Sequence, residues 1–129
     1  MILLAATVDG CYRVDLETDE VEPADPFPSS PPVSVNLPRL VAATAAGSTL
    51  LAALDMRPPL AVSYDAGLTW RESGRGLSPG VAVAIAESNP DTMAFATRNR
   101  LYLSQDGGVF WTALAVELPE IVAIELTEA

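Results

Sequence analysis

Short apolar runs alternate with clusters of Gly, Pro, Asn, Asp and Ser along most of the chain. VAVAIA (81–86), MAFAT (93–97) and LYL (101–103) are separated by ESNPDT and RNR. LVAAT (40–44), TLLAAL (49–54) and LAV (60–62) are separated by AAGS and DMRPP. Runs of this length, rich in Val, Leu and Ala and bounded by turn formers, predict β-strands.

Both triplets run into the same punctuation: SYDAGLTW at 63–70 and SQDGGVFW at 104–111. A third, truncated copy opens the chain. ILLAAT (2–7) matches TLLAAL, the turn VDG follows, and CYRVD (11–15) matches LAVSYD, with the box eroded to VDLETDEV. Counted at Val14, Ser63 and Ser104, the copies recur after 49 and 41 residues. The first copy lacks its opening strand, and IVAIEL (121–126) stands without a repeat at the other end. Joined, the two ends make one unit.

Periods of 40–50 residues with four short strands each are the signature of β-propeller blades. The expectation is an all-β fold of four-stranded antiparallel blades, with residues 1–129 forming one half-propeller domain. Blade 1 is residues 1–30 completed by 120–129, blade 2 is 38–73 and blade 3 is 80–114.

Each box sits where a third strand turns into a fourth. Asp65 and Asp106 are suited to accept turn N–H groups, with Ser63 and Ser104 bonding beside them. Gly67 and Gly108 suit positive φ, and Trp70 and Trp111 are suited to fill the space between neighbouring sheets. This S-x-D-x-G-x-x-W pattern resembles the Asp-box, or BNR repeat, of sialidase-like propellers. The first box matches fully, and the second has Phe110 where Thr is usual. The resemblance implies that the boxes are structural fasteners away from any active site, which leaves no residue assigned as catalytic.

Three blades cannot close a ring, and open ends would leave unpaired edges. Two chains make six blades, so the expected assembly is a homodimer in which IVAIEL of one chain pairs with ILLAAT of the other. A nine-bladed trimer and pairing with a second protein are the alternatives. The Met start and complementary ends predict a whole chain rather than a fragment.

Composition narrows the chemistry. The chain carries 7 Lys+Arg against 17 Asp+Glu, a formal charge of -10, which disfavours nucleic acid and anionic membrane as partners. All the cations are Arg, and there is no His. With Cys11 as the single cysteine, no intrachain disulfide, metal site or cofactor is expected, and His-dependent nucleophilic catalysis is excluded. The N-terminus lacks a basic leader and no run reaches transmembrane length, so a cytoplasmic location is expected.

Arg57, Arg71, Arg98 and Arg100, with Arg39 and Arg75, are expected on one face, made by second-to-third-strand turns and interblade connections. The Arg fork suits carboxylate, sulfate or phosphate, so these are the candidate ligand-binding residues. The plainer reading pairs them with Asp9, Asp55, Glu72 and Glu120 as exposed ion pairs. Residues 15–38 hold six acidic residues and then a Pro/Ser run, read as a poorly ordered connection or a degenerate fourth strand plus linker. The favoured function is a non-catalytic scaffold or binding module for a protein, peptide, or small anionic or carbohydrate ligand. The alternative is a sialidase-like glycoside hydrolase, which lacks a convincing tyrosine: Tyr12 and Tyr102 share a repeat position and Tyr64 lies in a box.

Overall fold

The computed structural model describes residues 1–31 and 33–128 and arranges them as three four-stranded antiparallel sheets. The first sheet, blade 1, holds β1 (Ile2–Thr7), β2 (Gly10–Asp15) and β3 (Val21–Ala24). Blade 2 holds β4 (Leu40–Ala46), β5 (Thr49–Leu54), β6 (Leu60–Ser63) and β7 (Arg71–Ser73). Blade 3 holds β8 (Ala82–Ala86), β9 (Asn89–Ala96), β10 (Arg100–Ser104) and β11 (Thr112–Glu117). The final strand, β12 (Ile121–Thr127), completes blade 1 in the order β12-β1-β2-β3.

That last pairing corrects an expectation. β12 pairs with β1 of its own chain, in register from Ile2↔Thr127 to Thr7↔Ile121, rather than with a second chain. The two ends of one chain meet at high effective concentration, and an intramolecular partner needs no association. Ile121 and Ile124 are buried with Leu3 and Ala5, so the strand also supplies core.

The innermost strands β4, β8 and β12 lie side by side, with β8 in the middle. The blades therefore follow one another in the order 2, 3, 1 as an open arc. Two buried clusters hold the arc. One joins blade 2 to blade 3 through Leu51, Leu60, Val62, Met93 and Phe95. The other joins blade 3 to blade 1 through Ala84, Ala94, Leu101, Leu3 and Val14. The many alanines let the inner strands converge; larger side chains there would force the sheets apart.

The acidic segment resolves into a turn and an edge strand. Asp15 accepts the Glu17 N–H (2.9 Å), and β3 pairs with β2 through Cys11↔Ala24 to Val14↔Val21. Pro23 is tolerated because β3 is the outermost strand. The sheet alternation gives the arc two ends. The boxes lie at one end with the first-to-second-strand turns. The other, the connection end, gathers the second-to-third-strand turns and interblade segments, where Ile121 donates to the Arg98 carbonyl and Asp55 to that of Arg39. No helix long and apolar enough to cross a membrane occurs among the described residues.

Candidate functional site

The two boxes have one geometry. Ser63 Oγ donates to Asp65 Oδ1 (2.8 Å) and accepts the Gly67 N–H (2.8 Å). Ser104 Oγ donates to Asp106 Oδ1 (2.8 Å) and accepts the Gly108 N–H (2.9 Å). Gly67 and Gly108 have φ of 91° and 90°, a region costly for a side chain. The Thr69 hydroxyl, then its N–H, then the Ser63 hydroxyl hold the Asp65 carboxyl down at about 2. The Phe110 N–H and the Ser104 hydroxyl lower that of Asp106. Both carboxylates stay ionised to knit a turn, a state unsuited to general-acid work at neutral pH.

The second box is gripped by the preceding blade. Trp111 Nε1 donates to Ser73 Oγ (2.8 Å), Ser73 donates to the Gly108 carbonyl, and Tyr64 donates to the Gly107 carbonyl. Trp111 meets Phe95 edge-on at 6.3 Å. Burial, outweighing the neighbouring Arg71, raises the Tyr64 hydroxyl above its ordinary value, so Tyr64 is a neutral donor here. Trp70 differs: it packs against Ala52, Leu54 and Ala61 with Val35 and Leu37 of the linker, and no neighbouring sheet covers it.

The arginines do not gather as one set. Arg57, Arg98 and Arg100 lie at the connection end. Arg71 opens β7 directly after the box, with its guanidinium 6.0 Å from the centre of the Tyr64 ring. It belongs to the box end because RES forms a strand rather than part of a connection. Arg98 pairs with Glu120 (2.9 Å), Arg100 with Glu117 (2.9 Å) and Arg39 with Asp55 (3.5 Å), all exposed. Arg57 reaches Ser78 Oγ at 3.4 Å.

Three hollows accompany these groups. Arg71 and Arg75 line a cleft of about 280 Å³ along the outer edge of blade 2, with Glu72 and Tyr64. At the box end of the axis, a groove of about 520 Å³ carries Glu87, Glu125 and Glu128. Ser30 donates through its N–H (2.6 Å) and hydroxyl (2.8 Å) to Glu125, so the linker crosses this groove. Among the described residues no cluster of three or more His, Cys, Asp or Glu is arranged to hold a metal ion. The third hollow is a depression on blade 1 lined by Leu4, Arg13, Pro23, Ala24 and Asp25.

The arc leaves two sheet faces without a neighbouring blade. Blade 1 turns Leu4, Ala6, Cys11, Arg13 and Ala24 away from blade 3, because their paired neighbours alternate with the buried Leu3, Ala5 and Val14. Blade 2 turns Ala52, Ala61 and Trp70 away from blade 3. A further repeat in the sequence bears on these faces: LPRLVA (37–42) recurs as LPEIVA (118–123). Leu118 is buried in the joint between blades 3 and 1, and Leu37 packs with Val35 and Trp70 on the face of blade 2 that has no neighbouring blade. Val8 N–H donates to the Glu120 carbonyl just as Asp55 N–H donates to that of Arg39. Blade 2 thus begins as a blade that follows another does.

No family model matches the chain, and no curated protein matches it significantly. Among solved structures the chain is similar to a GH74 enzyme of Niastella koreensis, with 20% identity and a TM-score of 0.50. The likeness covers 95% of this chain and 19% of that one, so the chain spans about a fifth of that enzyme's length. It extends to the fold: an all-β, propeller-like stack of four-stranded sheets.

Proposed function

We propose that the chain is a half-ring that joins a second copy to form a six-bladed Asp-box propeller, and that the assembled ring is a non-catalytic binding scaffold. One observation supports this reading: the faces of blades 1 and 2 that no blade covers carry the same repeat positions that meet in the two joints inside the chain. Ala52, Leu54 and Ala61 of the blade 2 face lie buried beneath Trp70, Val35 and Leu37, so what a second copy would cover is this layer of Trp70 and linker side chains, and its burial would favour association. The exposed valines Val41 and Val122 of the inner strands, with Val81 just before β8, would then line a central channel. The binding face is the connection end, where Arg57, Arg98 and Arg100 would recur around the axis. The carboxylate partners of Arg98 and Arg100 are exposed and weakly held, so an anionic group on a peptide or small ligand can exchange with them.

A carbohydrate-active role is the second reading, favoured by the fold likeness to a glycoside hydrolase. Release of reducing sugar from a polysaccharide panel by the assembled protein would support it over the scaffold.

Light scattering on a sizing column across a concentration range tests assembly. One chain is 13.6 kDa. A species of twice that mass is expected; a single-chain mass at every concentration would overturn the half-ring reading.

A further inference from the structure

We propose that the depression on blade 1 is the receptor for Trp70 of a second copy, with Arg13 lying against the indole. This deepens the half-ring reading and rests on it. The register of a joint inside the chain carries over to it. Within the chain, the box tryptophan of blade 3, Trp111, docks on the preceding blade at Ser73, in the cluster that holds Val62. On blade 2, Ser73 pairs with Leu60, and Val62 is two residues further along β6. The repeat places Cys11 at Leu60, Arg13 at Val62 and Leu4 at Leu51. Cys11 pairs with Ala24, so Ala24 stands where Ser73 stands.

The corresponding spot on blade 1 is therefore bounded by Leu4, Arg13 and Ala24. Those residues line the depression, about 460 Å³ in volume, on the face that no blade covers. Trp70 is the box tryptophan whose own preceding blade is missing. Blade 3 stands between blades 1 and 2 of one chain, so the two sites come together only between copies.

The exchanges between the two joints are chemically specific. Ala24 removes the hydroxyl that accepts the Trp111 N–H and widens the seat. Arg13 replaces an aliphatic wall with a planar cation, which favours an aromatic face. Arg13 holds Glu22 at only 3.7 Å, with both side chains substantially exposed, so it is free to turn onto the ring. The second copy is the occupant because Leu37, seated beside Trp70, matches Leu118 of the internal joint, which continues an interface already built.

The test compares dimer dissociation constants of the full chain and three variants by sedimentation. Trp70→Ala, Arg13→Ala and Ala24→Arg are each expected to raise the constant, at least tenfold for Trp70→Ala and Ala24→Arg. Ala24 lies on an edge strand, so Ala24→Arg is expected to retain the folded single chain even if Trp70→Ala loosens blade 2. In the Ala24→Arg background, Trp70→Ala should add little, because both remove one contact. A wild-type dimer whose constant moves less than twofold in Trp70→Ala and Ala24→Arg would overturn this contact while leaving the half-ring reading standing. A wild-type chain that never associates would overturn both.

Discussion

Trp111 of blade 3 donates its indole N–H to Ser73 of blade 2 across 2.8 Å, and Ser73 in turn donates to the Gly108 carbonyl of the same box. The serine is buried and links a large ring and a backbone turn of one sheet to the edge strand of the next. Removing the ring takes apolar contacts and leaves the serine one partner short. Trp111→Ala is expected to lower unfolding stability by about 2–4 kcal/mol, and Ser73→Ala by about 1–3 kcal/mol. Urea titrations measure both; wild-type midpoints would contradict the fastener role.

Gly80 marks a second close approach. An added Cβ there would overlap the Ala96 carbonyl and the Phe95 ring, both in the core of blade 3. Gly80→Ala is expected to cost about 2–3 kcal/mol through forced displacement. An unchanged melting temperature would show that the interblade segment yields.

The boxes also set an acid response. Asp65 ionises at about 2 in the fold against an ordinary 3.8, and Asp106 is lowered too. The folded state binds these protons less well than the unfolded chain. Their contribution to stability is therefore complete above the unfolded value and lost as pH falls through the folded one. The double variant Asp65→Asn with Asp106→Asn is expected to show a shallower loss of stability between about pH 4 and pH 2. An identical slope in wild type and variant would assign the acid response to other carboxylates.

β12 gives blade 1 its innermost strand and buries Ile121 and Ile124. Deleting 121–129 is expected to unfold blade 1 within a single chain, not merely to split a dimer. Loss of protection from proteolysis across residues 2–15 would report it. A truncated chain with native protection there would contradict closure within the chain.

Much of this architecture was legible in the residues. The apolar runs and Gly/Pro/Asp turns marked the inner strands, and the duplicated box marked the blade period. The least legible strands were the outermost. VEPA and RES are short and polar, because an outermost strand leaves one hydrogen-bonding edge unpaired and, far from where the blades converge, most of its side chains stay exposed. RES has the composition of a connection, which puts Arg71 with the interblade segments by sequence; its pairing with Val62 puts it at the box end. The choice of partner for IVAIEL was equally invisible, since strand complementarity is the same within a chain and between chains. The LPRLVA and LPEIVA match was present in the sequence, but its meaning depends on knowing that Leu118 fills a joint.

The connection-end arginines carry a separate expectation. Their ion pairs are exposed, so Arg98→Ala with Arg100→Ala is expected to change stability by less than about 1 kcal/mol. The same variant should weaken binding of an anionic ligand to the ring and flatten its salt dependence. Unchanged affinity for every ligand found would remove this face as the binding surface.

The most direct test of the half-ring account is the small-angle X-ray scattering curve of the associated protein. A closed six-bladed disc with a central channel is the shape predicted, fitted by two arcs meeting at blades 1 and 2. A curve that fits isolated arcs, or two arcs joined edge to edge with the faces of blades 1 and 2 exposed, would contradict it.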